Sequence, residues 1–104
     1  MSLDDIKNTM PDENQMEELA NLFKVLGDKT RSRILYTLKD NNELNVTSIC
    51  ECVDMNKSAV SHQLRILRDA KLVKSRKDGK EVYYSFDDDH ISTIFMYALE
   101  HINE

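Results

Sequence analysis

Residues 56–86 read NKSAVSHQLRILRDAKLVKSRKDGKEVYYSF, and two hydrophobic periods meet inside this one stretch. From Ser58 to Ala70, the apolar residues Val60, Leu64 and Leu67 recur at three- and four-residue spacing, which predicts an amphipathic helix. After Leu72 the period changes. Leu72 to Arg76 predicts a short strand, Lys77-Asp78-Gly79-Lys80 a hairpin turn, and Glu81 to Phe86 the returning strand. Asp-Gly followed by β-branched and aromatic residues is a strong local signal for such a turn. A basic helix running directly into a β-hairpin narrows the architectures the remaining segments can join.

On the N-terminal side, Thr47 to Val53 predicts a short helix with Ile49, Cys50 and Val53 inward, and Asp54-Met55-Asn56 breaks it. Further upstream, Asp28 is a helix cap, Ile34, Leu35 and Leu38 give a buried side, and Asp40-Asn41-Asn42 is a turn. Asn14 to Leu26 predicts a helix with Met16, Leu19, Ala20, Phe23 and Leu26 at helical spacing, ended by a left-handed Gly27. Residues 1–13, broken at Pro11, are expected to be a flexible arm, leaving 14–104 as one domain. On the C-terminal side, a helix capped by Asp87 carries a broad apolar stripe of Ile91, Ile94, Phe95, Ala98, Leu99 and Ile102. The order is three helices, a fourth basic helix, a hairpin and a final helix. That is a mainly α fold with a β-hairpin, a winged helix-turn-helix.

With 104 residues, 40% hydrophobic and 32% charged, the chain is expected to be one soluble globular domain. No apolar run approaches the roughly 20 residues of a membrane span, so no membrane partner is expected. The acidic, polar start MSLDDIKNTMPDENQ is not a secretory signal. Cys50 and Cys52 are the two cysteines, and their spacing is poor for a disulfide in regular structure. A reducing, cytoplasmic setting is the simplest expectation.

The formal net charge is -5, but it is unevenly distributed. Residues 57–80 hold Lys57, Arg65, Arg68, Lys71, Lys74, Arg76, Lys77 and Lys80 against only Asp69 and Asp78. Both flanks are acidic. A basic block inside an acidic chain marks one face for a polyanion, or is merely a solvated surface. The side chains favour the polyanion. Ser58 and Ala59 are small enough for close approach, and Ser58, Ser61, His62 and Gln63 offer hydrogen bonds to base edges or phosphates. Lys57 and Arg65 supply charge, and the hairpin tip adds Lys77 and Lys80. Singly, each is an ordinary exposed polar residue. Together, before a hairpin, they point to double-stranded DNA.

Asp87-Asp88-Asp89-His90 opens the last helix and His101-Ile102-Asn103-Glu104 ends it. At 100° per residue, with His90 at zero, His101 falls near 20° and Glu104 near 320°, a face flanking the apolar stripe. Eleven residues of helix separate the histidines by about 16 Å, whereas zinc ligands sit about 2 Å from the ion. Two readings follow. The carboxylates and His101 complement the helix dipole and nothing more, or two copies of the helix pair antiparallel and bring the start of one beside the end of the other.

Three segments, Leu26-Gly27-Asp28-Lys29-Thr30-Arg31, Ser58-Ala59-Val60-Ser61-His62-Gln63-Leu64-Arg65-Ile66-Leu67 and Gly79-Lys80-Glu81-Val82-Tyr83-Tyr84-Ser85, resemble the ArsR/SmtB family of metal-responsive repressors over roughly residues 15–104. The resemblance implies a homodimer, joined through its N- and C-terminal helices, on a palindromic operator that metal releases. It implies a zinc site at Asp88, His90, His101 and Glu104; of the other two aspartates, Asp87 is read as the cap and Asp89 as solvated charge. Nitrogen and oxygen donors suit Zn(II), with Co(II) as an alternative. Lys71 departs from the family, which often has glycine before the Leu72-Val73 pair. The family's other common metal site carries cysteines where this chain has Asn45 and Thr47, so a soft-metal or thiol sensor built on Cys50 and Cys52 is the weaker alternative, beside a metal-independent regulator. Nothing here resembles a catalytic pocket or a phosphate-cradling loop, so neither enzymatic activity nor a small organic substrate is expected.

Overall fold

Every helix in this chain begins behind a Ser, Asp or Asn whose side chain accepts a backbone N–H of the first turn. In the computed structural model, which describes residues 1–104, the elements are α1 (Leu3–Asn8), α2 (Glu13–Leu26), α3 (Lys29–Thr37), β1 (Leu44–Asn45), α4 (Val46–Val53), α5 (Lys57–Asp69), β2 (Val73–Asp78), β3 (Glu81–Phe86) and α6 (Asp89–Ile102). The fold is a winged helix-turn-helix, as the change of period at Leu72 predicts. Within the segment expected to be a flexible arm, α1 forms behind a capping box made by Ser2 and Asp5, and none of its residues is buried.

The core has 13 buried residues, all apolar. Ile34, Leu35 and Leu38 come from α3 and the turn after it, Ile49 and Val53 from α4, and Val60, Leu64 and Leu67 from α5. Leu72, Val73, Phe86 and Ile91 close it from the sheet and the start of α6. Burying each such side chain stabilises the fold by about 1.5–3 kcal/mol. The three-helix centre therefore holds α5 rigidly, with its other face outward.

The sheet differs from the sequence expectation in two ways. It has three strands in the order β1-β3-β2, because Leu44 and Asn45 pair antiparallel with Tyr84 and Tyr83. The hairpin is also longer. Lys77 and Asp78 continue β2, with Asp78 opposite Glu81, so the loop is only Gly79-Lys80. Gly79 has φ 63°, the left-handed conformation that such a two-residue turn demands. Gly27 ends α2 as expected but with φ -81°, so left-handed freedom is not its role. A Cβ there would stand 3.2 Å from the Phe23 carbonyl oxygen, tighter than ordinary contact.

Asp88, not Asp87, caps α6: its Oδ1 accepts the Ile91 N–H at 3.1 Å. The Asp87 N–H is held by the Leu72 carbonyl at 3.0 Å, which keeps that residue at the end of the sheet.

α2 and α6 expose apolar faces to solvent. Phe23 is 56% exposed, Tyr97 67% and Ile102 75%. The radius of gyration is 16.2 Å, against about 13 Å for a closed globule of this length. Both helices extend from the core with apolar surface that this chain alone does not cover.

Lys71 stands in the left-handed region at φ 61°. The Leu72 N–H reaches the Leu67 carbonyl at 2.9 Å and the Lys71 N–H the Arg68 carbonyl at 3.0 Å, the two bonds of a Schellman ending, with Leu67 and Leu72 both buried. Glycine is the residue for that position, and a non-glycine residue costs about 1–2 kcal/mol there. Lys71→Gly is therefore expected to stabilise the protein by up to about 1 kcal/mol after its added unfolded-state entropy, raising the thermal midpoint. Calorimetry checks this; a lowered midpoint would show that the lysine side chain contributes more than the strain costs.

Candidate functional site

The turn into α5 is made by Asp54, left-handed at φ 55°, and by Asn56, whose Oδ1 accepts the Ala59 N–H at 2.8 Å. With Val60, Leu64 and Leu67 buried, the opposite face of α5 is presented outward. Lys57, Ser58, Ser61, His62 and Arg65 line one shared shallow depression on it. Five of the six α5 residues singled out in the sequence are thus brought together. Gln63 is not among them. It is half-buried, and its Oε1 accepts Arg31 Nη1 at 3.4 Å, while Arg31 Nε donates to the Val25 carbonyl at 2.8 Å. Gln63 tethers α5 to the α2–α3 corner. Lys77 and Lys80 are exposed on β2 and at the hairpin tip.

Arg76 sits in the same basic block but is engaged elsewhere. Its Nη2 lies 2.7 Å from Glu43 Oε1 and its Nη1 3.7 Å from Asp78 Oδ2. The hydrogen bond from Arg76 holds the Glu43 carboxyl below the ordinary carboxylate range, and the same bond raises Arg76. Sequence reading misses this pair because 33 residues separate its members.

At the start of α6, His90 Nδ1 stands 3.6 Å from Asp88 Oδ2; at its end, His101 Nδ1 stands 3.4 Å from Glu104 Oε2. A tetrahedral ion with bonds of about 2.0 Å holds neighbouring donors about 3.3 Å apart, so each pair has the spacing of one edge of such a shell. The free oxygen of Asp88 is the one facing His90, because the other is committed to the cap. Asp88 is extended, at φ -155° and ψ 177°, and this lets residues two apart converge where a helix interior would separate them. Its carboxyl is held below the ordinary range, first by the Ile91 N–H and then by the neighbouring His90. All four side chains are solvent-accessible. Within one chain no three such donors meet. The donor chemistry and spacing fit a divalent metal, in two halves at opposite ends of α6.

The cysteines diverge. Cys50 is half-buried against the core, while Cys52 is exposed and lines a depression with Arg33, Tyr36 and Lys39. No helix is long and apolar enough to cross a membrane.

The profile of the family described as "Bacterial regulatory protein, arsR family" matches residues 28–75, from the cap of α3 into β2. Similarity to individual proteins extends further. The chain is 38% identical to the transcriptional repressor SmtB homolog of Synechocystis, covering 88% of this chain and 68% of that one. It is 37% identical to the cadmium resistance transcriptional regulatory protein CadC homolog of Staphylococcus aureus, covering 94% and 80%. Its fold is similar to the homodimeric winged helix-turn-helix DNA-binding domain of a possible ArsR-family regulator from Mycobacterium bovis, with a TM-score of 0.82 and 25% identity over 91% of this chain and 89% of that one.

Asp88 combines two separable roles. Asp88→Ala removes the cap and is expected to lower the thermal midpoint of the metal-free protein, whereas Asp88→Asn keeps an accepting oxygen and stays near wild type. Both are expected to lose metal affinity in a cobalt titration. Wild-type affinity in Asp88→Asn would remove the carboxylate from the donor set.

Proposed function

The chain belongs to the arsR family of bacterial regulatory proteins, and from that premise we propose a homodimeric transcriptional repressor that binds a palindromic operator when metal-free and releases it on binding Zn(II). It is a regulator, not an enzyme. The observation that carries the metal reading is the pair of half-shells on α6, each with the donor spacing of a tetrahedral edge, at opposite ends of a helix whose apolar flank is open. Antiparallel pairing of two α6 helices about a twofold axis puts Asp88 and His90 beside the partner's His101 and Glu104, and symmetry makes two such sites.

DNA binding uses the outward face of α5. Its N-terminus and Lys57 attract phosphate, Ser58, Ser61 and His62 reach groove edges, and Arg65 adds backbone charge. Lys77 and Lys80 follow the phosphates from the wing. Gln63, whose oxygen accepts Arg31, keeps its amide N–H groups for a base edge at the margin of this face.

Bound zinc supplies a crosslink between subunits. It favours the dimer geometry in which the two ends of α6 meet, and release follows if that geometry spaces the α5 helices poorly for the operator. Linkage then requires DNA to weaken zinc binding by the same factor. Two imidazoles and two carboxylates favour zinc over the soft ions that thiolates select, and Cys50 packs against the core. The regulated genes are those of metal efflux or sequestration.

Anisotropy on palindromic duplexes selected by the protein from a random pool tests both halves. His101→Ala is expected to bind the duplex as wild type does and to lose the zinc-induced release. A full zinc response in that variant would overturn the site. Ser61→Glu sets a carboxylate against phosphate and is expected to weaken binding at least about tenfold. Unchanged affinity would remove α5 as the reading helix.

A further inference from the structure

Beyond Val73 the outer strand β2 is exposed along its whole length. Its backbone pairs with β3, and β3 pairs with the two residues of β1. The core therefore grips the root of the wing and leaves its tip, where Lys77 and Lys80 sit, to follow the hairpin's own twist. One side-chain interaction crosses the sheet. Arg76 on β2 stands opposite Tyr83 on β3, which stands opposite Asn45 on β1. The Arg76 guanidinium lies 5.0 Å from the Tyr83 ring centre and reaches past it to Glu43, immediately before β1, with Nε and Nη2 at 2.8 and 2.7 Å from the same carboxylate oxygen. Asp78 flanks the guanidinium at 3.7 Å. Among side-chain hydrogen bonds and ion pairs, the Glu43 contact alone joins the wing to the helical body.

We infer that Glu43 is a positioning residue for DNA binding: through Arg76 it straps the wing across all three strands and sets the angle at which Lys77 and Lys80 meet the phosphate backbone. This inference rests on the DNA-binding reading above. Arg76 then serves as the buckle of the strap and is not itself a phosphate contact. The planar guanidinium is what the role needs, since it stacks on an aromatic face while two of its N–H groups donate to one carboxylate. A lysine has a point charge without the planar fork, so it does not do both at once.

A strap and simple electrostatics give opposite signs for the loss of Glu43. Glu43 is a negative charge beside a basic surface. If Arg76 were a phosphate ligand, Glu43→Ala would release it, tighten DNA binding and steepen the salt dependence by about one phosphate. If Glu43 positions the wing, the same substitution frees the tip, weakens binding roughly three- to tenfold at low salt and makes the log–log salt slope shallower by about one to two phosphates.

The test is anisotropy of wild type, Glu43→Ala, Arg76→Lys and the pair Glu43→Ala/Arg76→Ala on a generic duplex of about 30 base pairs across a salt series. Weaker binding with a shallower slope in both single variants, with the pair no weaker than Glu43→Ala alone, is expected. Thermal midpoints should barely move, because an exposed ion pair contributes little to global stability. Equal or tighter binding by Glu43→Ala, or a further loss when Arg76→Ala is added to it, overturns the strap. Failure of wild type to bind any duplex overturns instead the DNA-binding reading on which it rests.

Discussion

The two donor pairs of α6 are held about 16 Å apart by the helix between them, and no rotation of side chains brings them to one ion. The same helix shows solvent an apolar flank of Ile94, Tyr97 and Ile102, and α2 does so with Met16, Leu19 and Phe23. On α6 two separated donor pairs thus coincide with an uncovered face. A second copy in antiparallel register is the proposal that answers both at once. In the proposed dimer, metal affinity and subunit arrangement become one equilibrium. An ion that requires both ends to meet biases whichever arrangement brings them together.

Much of the fold was legible in the sequence because it depends on local rules. Val60, Leu64 and Leu67 mark the buried side of α5 by spacing alone, and all three are fully buried. The cap residues Asp28 and Asn56 act in the structure. The pairing of His101 with Glu104 follows from helical i, i+3 geometry. Where the reading failed, the cause was non-local. Three consecutive aspartates are equally good caps, and Asp88 takes the role because the Leu72 carbonyl holds the Asp87 N–H to the sheet end. β1 has two residues, too few to show a period, and forms because β3 offers it an edge. The bond from Arg31, on another helix, to the Gln63 oxygen is likewise beyond local rules. Lys71 departs from the expected glycine yet keeps the glycine conformation, since the Schellman bonds and the buried Leu67 and Leu72 hold the backbone there.

Charge follows the same division. The basic block of residues 57–80 is a property of composition, but its members do different work once folded. Lys57 and Arg65 share an outward face with two serines and a histidine. Arg76 is satisfied by Glu43, Asp78 and the Tyr83 ring, and turns along the sheet. A count of basic residues therefore overstates the charge available to a polyanion, and shows nothing of the contact between Arg76 and Glu43.

The central claim is that the metal shell closes only between subunits, and complementation tests it most directly. One variant loses the start of α6 (Asp88→Asn with His90→Ala) and another loses its end (His101→Ala with Glu104→Ala). Neither homodimer has an intact site, but each mixed dimer has one. With free subunit exchange, cobalt titration of an equal mixture should restore tetrahedral visible absorption at about one quarter of wild-type capacity, while each variant alone stays silent. Absorption from either variant alone, or a silent mixture of exchanging dimers, would contradict the account.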